Sequence, residues 1–337
     1  MRGAALLAAL ALAALACDGD NDPTPTTTSE RTLAATTGAT TASQPAAENG
    51  WRQRAPMPTA RSEVAAAALD DKIYVVGGFL GSGSPTAVVE VYDPATDSWD
   101  AVEPMPATRH HAAAVGFTGK LYVIGGFETS FSDAVNTTFV YDPETDSWSE
   151  ASPMSESRGG HAAVELDGLL YAIGGANSSR ENVAAVEAYD PGSDAWEPKS
   201  ELPTPRDHLA AATVGEKIYA IGGRLQIDFG RNLDVNEVYD RAPDNWSRGA
   251  GLPTGRSGIA AASLGGRIFV FGGEGNEGTF DENEVYAPQT NTWETLDPMP
   301  TARHGLGAAV VGDTIYVIGG GPTPGLSVSG ANEAFTP

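Results

Sequence analysis

One cysteine in 337 residues excludes an internal disulfide, a Cys-x-x-Cys pair and a thiolate metal cage, so the fold has to close by packing and hydrogen bonding. Lysine is nearly as scarce, four against sixteen arginines, and acids outnumber bases by 44 to 20. The resulting formal net charge of -24 repels nucleic acid and anionic headgroups, so no nucleic-acid partner is expected. The main apolar run, Ala4 to Ala16, is too short for a span, which needs about 20 residues. Helical periodicity is absent. So are a Ser-His-Asp spacing, a phosphate-binding glycine loop and a recognisable carboxylate dyad, and no catalytic residue is nominated.

Arg2 ahead of that run gives the charged start and apolar centre of an export signal, assigned to residues 1–16. The junction Ala14-Leu15-Ala16-Cys17 reads as a small-x-small cleavage site or as a loose lipobox whose Cys17 is lipidated. Residues 17–50, rich in Thr, Ala, Ser and Pro, read as a disordered tether with a reach of roughly 30 Å. The expected product is a membrane-anchored lipoprotein, periplasmic or at the cell surface, that meets the membrane only through its lipid; secretion is the alternative.

Everything after the tether repeats. Gly-Gly pairs begin at 77, 125, 174, 222, 272 and 319, a period in the range of propeller blades. Trp51, Trp99, Trp148, Trp196, Trp246 and Trp293 are each followed ten residues later by an arginine, which stands sixteen residues before its Gly-Gly. The variable interval runs from Gly-Gly to the next Tyr, so length differences fall in one connection per copy. Each copy reads as four short strands, for example Val64 to Leu69, Lys72 to Val76, Val88 to Tyr92 and Ser98 to Val102. The second strand is apolar on both faces, as in radially packed sheets. The last copy stops at Pro337 without its Trp, while Trp51 stands ahead of the first copy. An N-terminal strand completing the sixth sheet is therefore expected, since it pairs an otherwise open edge.

Pro-Met-Pro-x-x-Arg, Ile-Tyr-Val-x-Gly-Gly, Glu-Val-Tyr-Asp-Pro and Asp-Ser-Trp over 51–337 resemble the kelch repeat. The resemblance implies an all-β, six-bladed β-propeller, a fold that mostly serves as a binding platform and occasionally as an enzyme. The face carrying the second-to-third strand loops holds the variation. Residues present in every copy are scaffold, and the six arginines are expected to pair with Glu90, Glu187, Glu237, Glu284 and Glu333. Blade two has Phe139 there instead, which leaves Arg109 as a candidate anion ligand. The Asp-Pro-x-Thr-Asp turns are expected to cap themselves with Asp93, Asp97 and their equivalents.

The candidate ligand-binding face comprises Glu63, Arg109, His110, His111, Phe127, Phe131, His208, Arg224, Phe229 and Arg231. All five histidines follow a repeat arginine, yet at unequal offsets and on four blades, so bonded rim or core imidazoles are expected and no metal or other cofactor. Copper oxidases of the kelch type need a Cys crosslinked to Tyr, and the cysteine here stands at the export-signal junction, ahead of the repeats. Sialidase Asp boxes are absent. The expected function is recognition of a protein, peptide or glycan by a monomer. The alternative is a carbohydrate-active enzyme resembling the sialic acid mutarotase, whose inter-blade insertions this chain lacks.

Overall fold

The computed structural model describes residues 50–337; Cys17, the expected export signal and all but the last residue of the expected tether lie outside the described residues. Among the described residues there is no helix, and six four-stranded antiparallel sheets follow one another as the blades of a β-propeller. In blade one the strands are Ala65–Leu69, Lys72–Val76, Val89–Asp93 and Ser98–Ala101, within one residue of the spans read from sequence. The second strands are buried on both faces, because each side meets a neighbouring blade. Tyr74, Val76 and Val91 of blade one pack with Leu121, Val123 and Tyr141 of blade two, and five further clusters of this kind complete the circle.

The ring closes as the repeat phase requires. Trp51–Gln53 pairs with Asn332–Phe335 in the register Trp51 to Phe335, which gives blade six its fourth strand. The innermost strands are built from alanine and glycine because they crowd around the axis: a Cβ on Gly116 would lie 2.1 Å from the carbonyl oxygen of Ala68. The Gly-Gly pairs answer the same crowding. Gly77 and Gly78 have φ of 62° and 93°, and a Cβ on Gly77 would fall 2.3 Å from the Arg109 carbonyl oxygen.

Two repeated devices fasten the blades. Arg61 is fully buried and donates to the carbonyl oxygens of Gly77 (2.7 Å) and Val88 (3.0 Å) and to Glu90 (2.8 Å). Arg158, Arg206, Arg256 and Arg303 meet Glu187, Glu237, Glu284 and Glu333 in the same way. In the Asp-Pro-x-Thr-Asp turns only the first aspartate caps its own turn, as Asp93 does for Ala95 N–H. The second reaches the incoming chain: Asp97 accepts from Tyr92 (2.6 Å) and from Ala55 N–H (2.8 Å), while Trp99 Nε1 donates to the Ala55 carbonyl (2.8 Å). These acids clasp each blade to the connection that leads into it, which corrects the expectation that they only cap turns.

Candidate functional site

Two residues after each repeat arginine, the backbone runs once around the axis as a chain of hydrogen bonds between blades. His111 N–H donates to Glu63 O (3.1 Å), Gly160 to His111 (2.8 Å), His208 to Gly160 (2.7 Å), Gly258 to His208 (3.0 Å) and Gly305 to Gly258 (2.8 Å). Val64 N–H closes the circle on Gly305 O at 3.3 Å. This geometry puts all six residues in the left-handed region, where three blades use glycine and the others hold Glu63, His111 and His208 at φ of 53°, 54° and 53°. A non-glycine residue there costs on the order of 1 kcal/mol or more, and such strain gathers at functional sites.

The residues on either side of this ring also differ from blade to blade. The residue directly after the arginine pairs across a bridge with the one after Gly-Gly, as Asp207 does with Arg224 and Ser257 with Glu274. Blade three offers only Gly159, Gly160 and Ala176, and its share of the axis is taken by neighbours: a Cβ on Gly160 would lie 3.1 Å from His208 Nδ1.

These positions join into one polar cluster. Glu63 accepts from His111 Nε2 at 3.0 Å, and His111 Nδ1 lies 2.6 Å from His110 Nδ1. Arg224 donates from Nη1 to Glu274 (2.6 Å), from Nη2 to His208 Nε2 (2.7 Å) and from Nε to Asp207 (3.2 Å). His208 Nδ1 sits 2.6 Å from the same Asp207 carboxylate. That carboxylate can only accept, so the His208 proton is on Nδ1 and the lone pair on Nε2. His304 Nε2 stands 3.4 Å from Glu63 and 3.6 Å from Glu274.

Burial and partners set the charges. Burial alone would raise the Glu63 carboxyl, but His111, with His304 and His208 behind it, outweighs that and holds it well below the usual carboxylate range. Asp207 is likewise pushed up by burial but brought down to about 2 by His208 and Arg224. Burial and then the neighbouring His111 drive His110 down to about 2, while burial and then Arg224 lower His208.

Above the cluster opens a cup of about 320 Å³ on the loop face. Its base is Glu63, His111, Arg224 and Glu274, and its walls are apolar: Phe79, Phe131, Ile227, Phe229 and Leu326. Arg180 reaches over the Phe131 ring at 5.8 Å, and Arg224 lies 5.8 Å from the Phe229 ring centre. Below it a neck of about 80 Å³ leads toward the alanine-lined axis. Two sets have ligand atoms close enough to share an ion, Glu63 with His111 and His208, and Glu63 with Glu274 and His304.

The KLHDC2/KLHL20/DRC7 kelch-repeats domain matches residues 110–320, and the kelch motif matches residues 60–106. The chain belongs to the kelch-repeat family. No curated protein matches it. The solved structure described as "Structure of YjhT" shares the fold, with a TM-score of 0.71 over 82% of this chain and 95% of that one, at 19% identity.

Within this kelch propeller, the structure brings six of the ten expected residues together. Glu63, His111, Phe131, Arg224 and Phe229 line the cup, and His208 lies at its base beside the neck. Arg109, His110 and Phe127 do not reach it, which is a correction. Arg109 is 2% exposed, and its Nη1 and Nη2 donate to Glu128 and Thr137 (both 3.0 Å), so it is held within the blade and does not line the cup. His110 is fully buried, stacked on Phe79 at 4.2 Å and Phe127 at 5.4 Å, and Phe127 is itself fully buried. Arg231 stands exposed on the loop bonded to Gln226, outside the cup lining.

Sequence reasoning missed Phe79, Arg180, Asp207 and Glu274 and did not single out His304. The signal was available. Positions directly after Gly-Gly read Phe79, Phe127, Ala176, Arg224, Glu274 and Gly321, varied residues that each follow an invariant pair. Unequal histidine offsets also proved a poor argument against convergence, because near the axis equivalent positions of different blades are close neighbours: the His111 and His208 rings are 4.6 Å apart across blade three.

Proposed function

We propose that this kelch propeller is a recognition module that takes the terminal residue of a glycan into its axial cup. One observation carries the reading: the positions that differ from blade to blade converge on a cup whose walls are aromatic and whose base is charged. Flat phenyl faces suit the C–H faces of a sugar ring, while Glu63, Arg224 and His111 offer acceptors and donors to hydroxyls. The size is at the small end for ligand pockets, about 300–1,000 Å³, and fits one residue of a larger ligand. Extracytoplasmic placement, with Cys17 carrying a lipid anchor, belongs to the same proposal and suits a surface-glycan receptor.

Saturation-transfer NMR against a panel of oligosaccharides tests it. Binding should fall at least about tenfold in Phe131→Ala, Phe229→Ala and Glu63→Gln. Binding unchanged in all three, or seen only with peptides, sinks the glycan reading.

A second reading rests on the Glu63, His111 and His110 chain. A carboxylate bonded to an imidazole that is backed by another imidazole is an acid–base relay, and at the base of a sugar-sized cup it would serve anomeric or proton-transfer chemistry. Turnover of a reducing sugar, lost in Glu63→Gln with binding retained, would support it.

A further inference from the structure

We propose that Glu63, His111 and His208 form a binding site for a divalent transition-metal ion of the zinc class at the base of the cup. Such an ion site does not depend on a glycan entering above. One atom from each residue lies within 4.8 Å of the others, and two imidazoles with one carboxylate is a donor set that suits zinc, with further positions open toward the cup.

The surroundings of these ligands are those of a metal site. A ligating histidine usually fixes its ring through the other nitrogen, and both rings do. His208 Nδ1 is held by Asp207 at 2.6 Å and His111 Nδ1 by His110 at 2.6 Å. Each therefore turns Nε2 to the cluster, where His111 Nε2 lies 3.0 Å from Glu63. The backbone points the same way. Of the six ring positions at left-handed φ, the three that forgo glycine are these three residues.

Charge decides whether a cation belongs there. Glu63, Asp207 and Glu274 bring three carboxylates into the cluster against one guanidinium, Arg224, and a divalent ion reduces that excess. Arg224 Nη2 meets His208 Nε2 at 2.7 Å, so an ion must displace that bond. Its Nε and Nη1 remain on Asp207 and Glu274; His111 Nε2 gives up its bond to Glu63 as both turn to the ion, so the exchange costs two hydrogen bonds. The other set, with Glu274 and His304, is less suited. His304 Nδ1 faces Gly321 O at 3.1 Å and Nε2 faces Gly325 O at 2.9 Å, so a carbonyl oxygen already stands before each nitrogen.

Calorimetric titration of zinc chloride into the chelator-stripped full chain should give one saturable site. His111→Ala and His208→Ala should each weaken it at least 100-fold, Asp207→Asn about 10- to 100-fold because it orients the His208 ring through Nδ1, and His304→Asn not at all. X-ray absorption at the zinc edge of the unmodified protein, which needs no variant to fold, should show two imidazole nitrogens. No saturable binding, an all-oxygen shell, or binding lost in His304→Asn and kept in His208→Ala overturns the assignment.

Discussion

The guanidinium carbon of Arg109 lies 4.9 Å from the centre of the Phe139 ring, whereas the five other repeat arginines meet a glutamate at that place. Its carboxylate partner, Glu128, comes instead from the loop after Gly-Gly, with a side chain 43% exposed. Two kinds of arginine pair follow, and they should respond differently to loss of the acid. Removing Glu90 or Glu284 strands a buried cation and should cost about 3–5 kcal/mol. Removing Glu128 should cost about 1 kcal/mol or less, because solvent screens that pair. Urea denaturation of Glu90→Ala, Glu284→Ala and Glu128→Ala measures the contrast, and equal losses would show that the buried pairs are not the staples.

How far the sequence speaks depends on distance from the axis. Gly-Gly, Arg, Tyr and Trp recur because each blade poses the same packing problem, so the blade count and the Trp51 latch could be read without coordinates. The site is written in the residues that do not recur, and their meaning depends on which blades adjoin. Asp207 looks like one more acid in an acidic chain until its bridge to Arg224 places it against His208. Arg109 looked free because Phe139 replaced its glutamate, and no pattern showed that Glu128 would come from another loop. Glu63 was nominated, but its left-handed backbone is visible only once the inter-blade hydrogen bonds are traced.

Ring closure should be concentrated in one side chain. Trp51 is 5% exposed, packs 4.9 Å from Phe335 and 5.8 Å from Phe271, and donates from Nε1 to Asp297 O at 3.2 Å. Blade six has Phe335 where the others have the clasping Tyr, so the latch depends on packing. Trp51→Ala should cost about 3–5 kcal/mol, the usual loss for a buried tryptophan. It should also speed proteolysis near residue 335, since the outer strand lets go. A loss under about 1 kcal/mol with unchanged proteolysis would mean the ring closes without it.

The proposed anchoring turns on Cys17, whose fate separates the lipidated reading from the secreted one. Grown with an alkyne fatty acid, cells should yield a labelled protein in the membrane fraction, and Cys17→Ser should lose the label and release the protein. A mature protein that starts at Cys17 with a free thiol in the soluble fraction would establish secretion instead.

His161 gives the sharpest test of the core. It occupies the third position after the repeat arginine, where the other blades place Val64, Ala112, Leu209, Ile259 and Leu306, and neither ring nitrogen has a partner. Burial, then Arg158, pushes it down from 6.5 to about 3. The native state therefore holds it neutral while the unfolded chain protonates it near 6.5. Its contribution is whole above the unfolded value and is lost as pH falls from about 6.5 to about 3, at about 1.4 kcal/mol per pH unit for one proton. His161→Leu puts a residue there that blades four and six already accommodate. It should stabilise the protein at pH 7 by about 1–3 kcal/mol, the cost of buried polar atoms left unbonded. It should also flatten the stability profile by one proton between pH 6.5 and 3, measured as the difference from wild type so that His110 and the carboxylates cancel. A destabilised variant with an unchanged profile would mean that the imidazole is bonded in solution and that its place among aliphatic residues serves the neck.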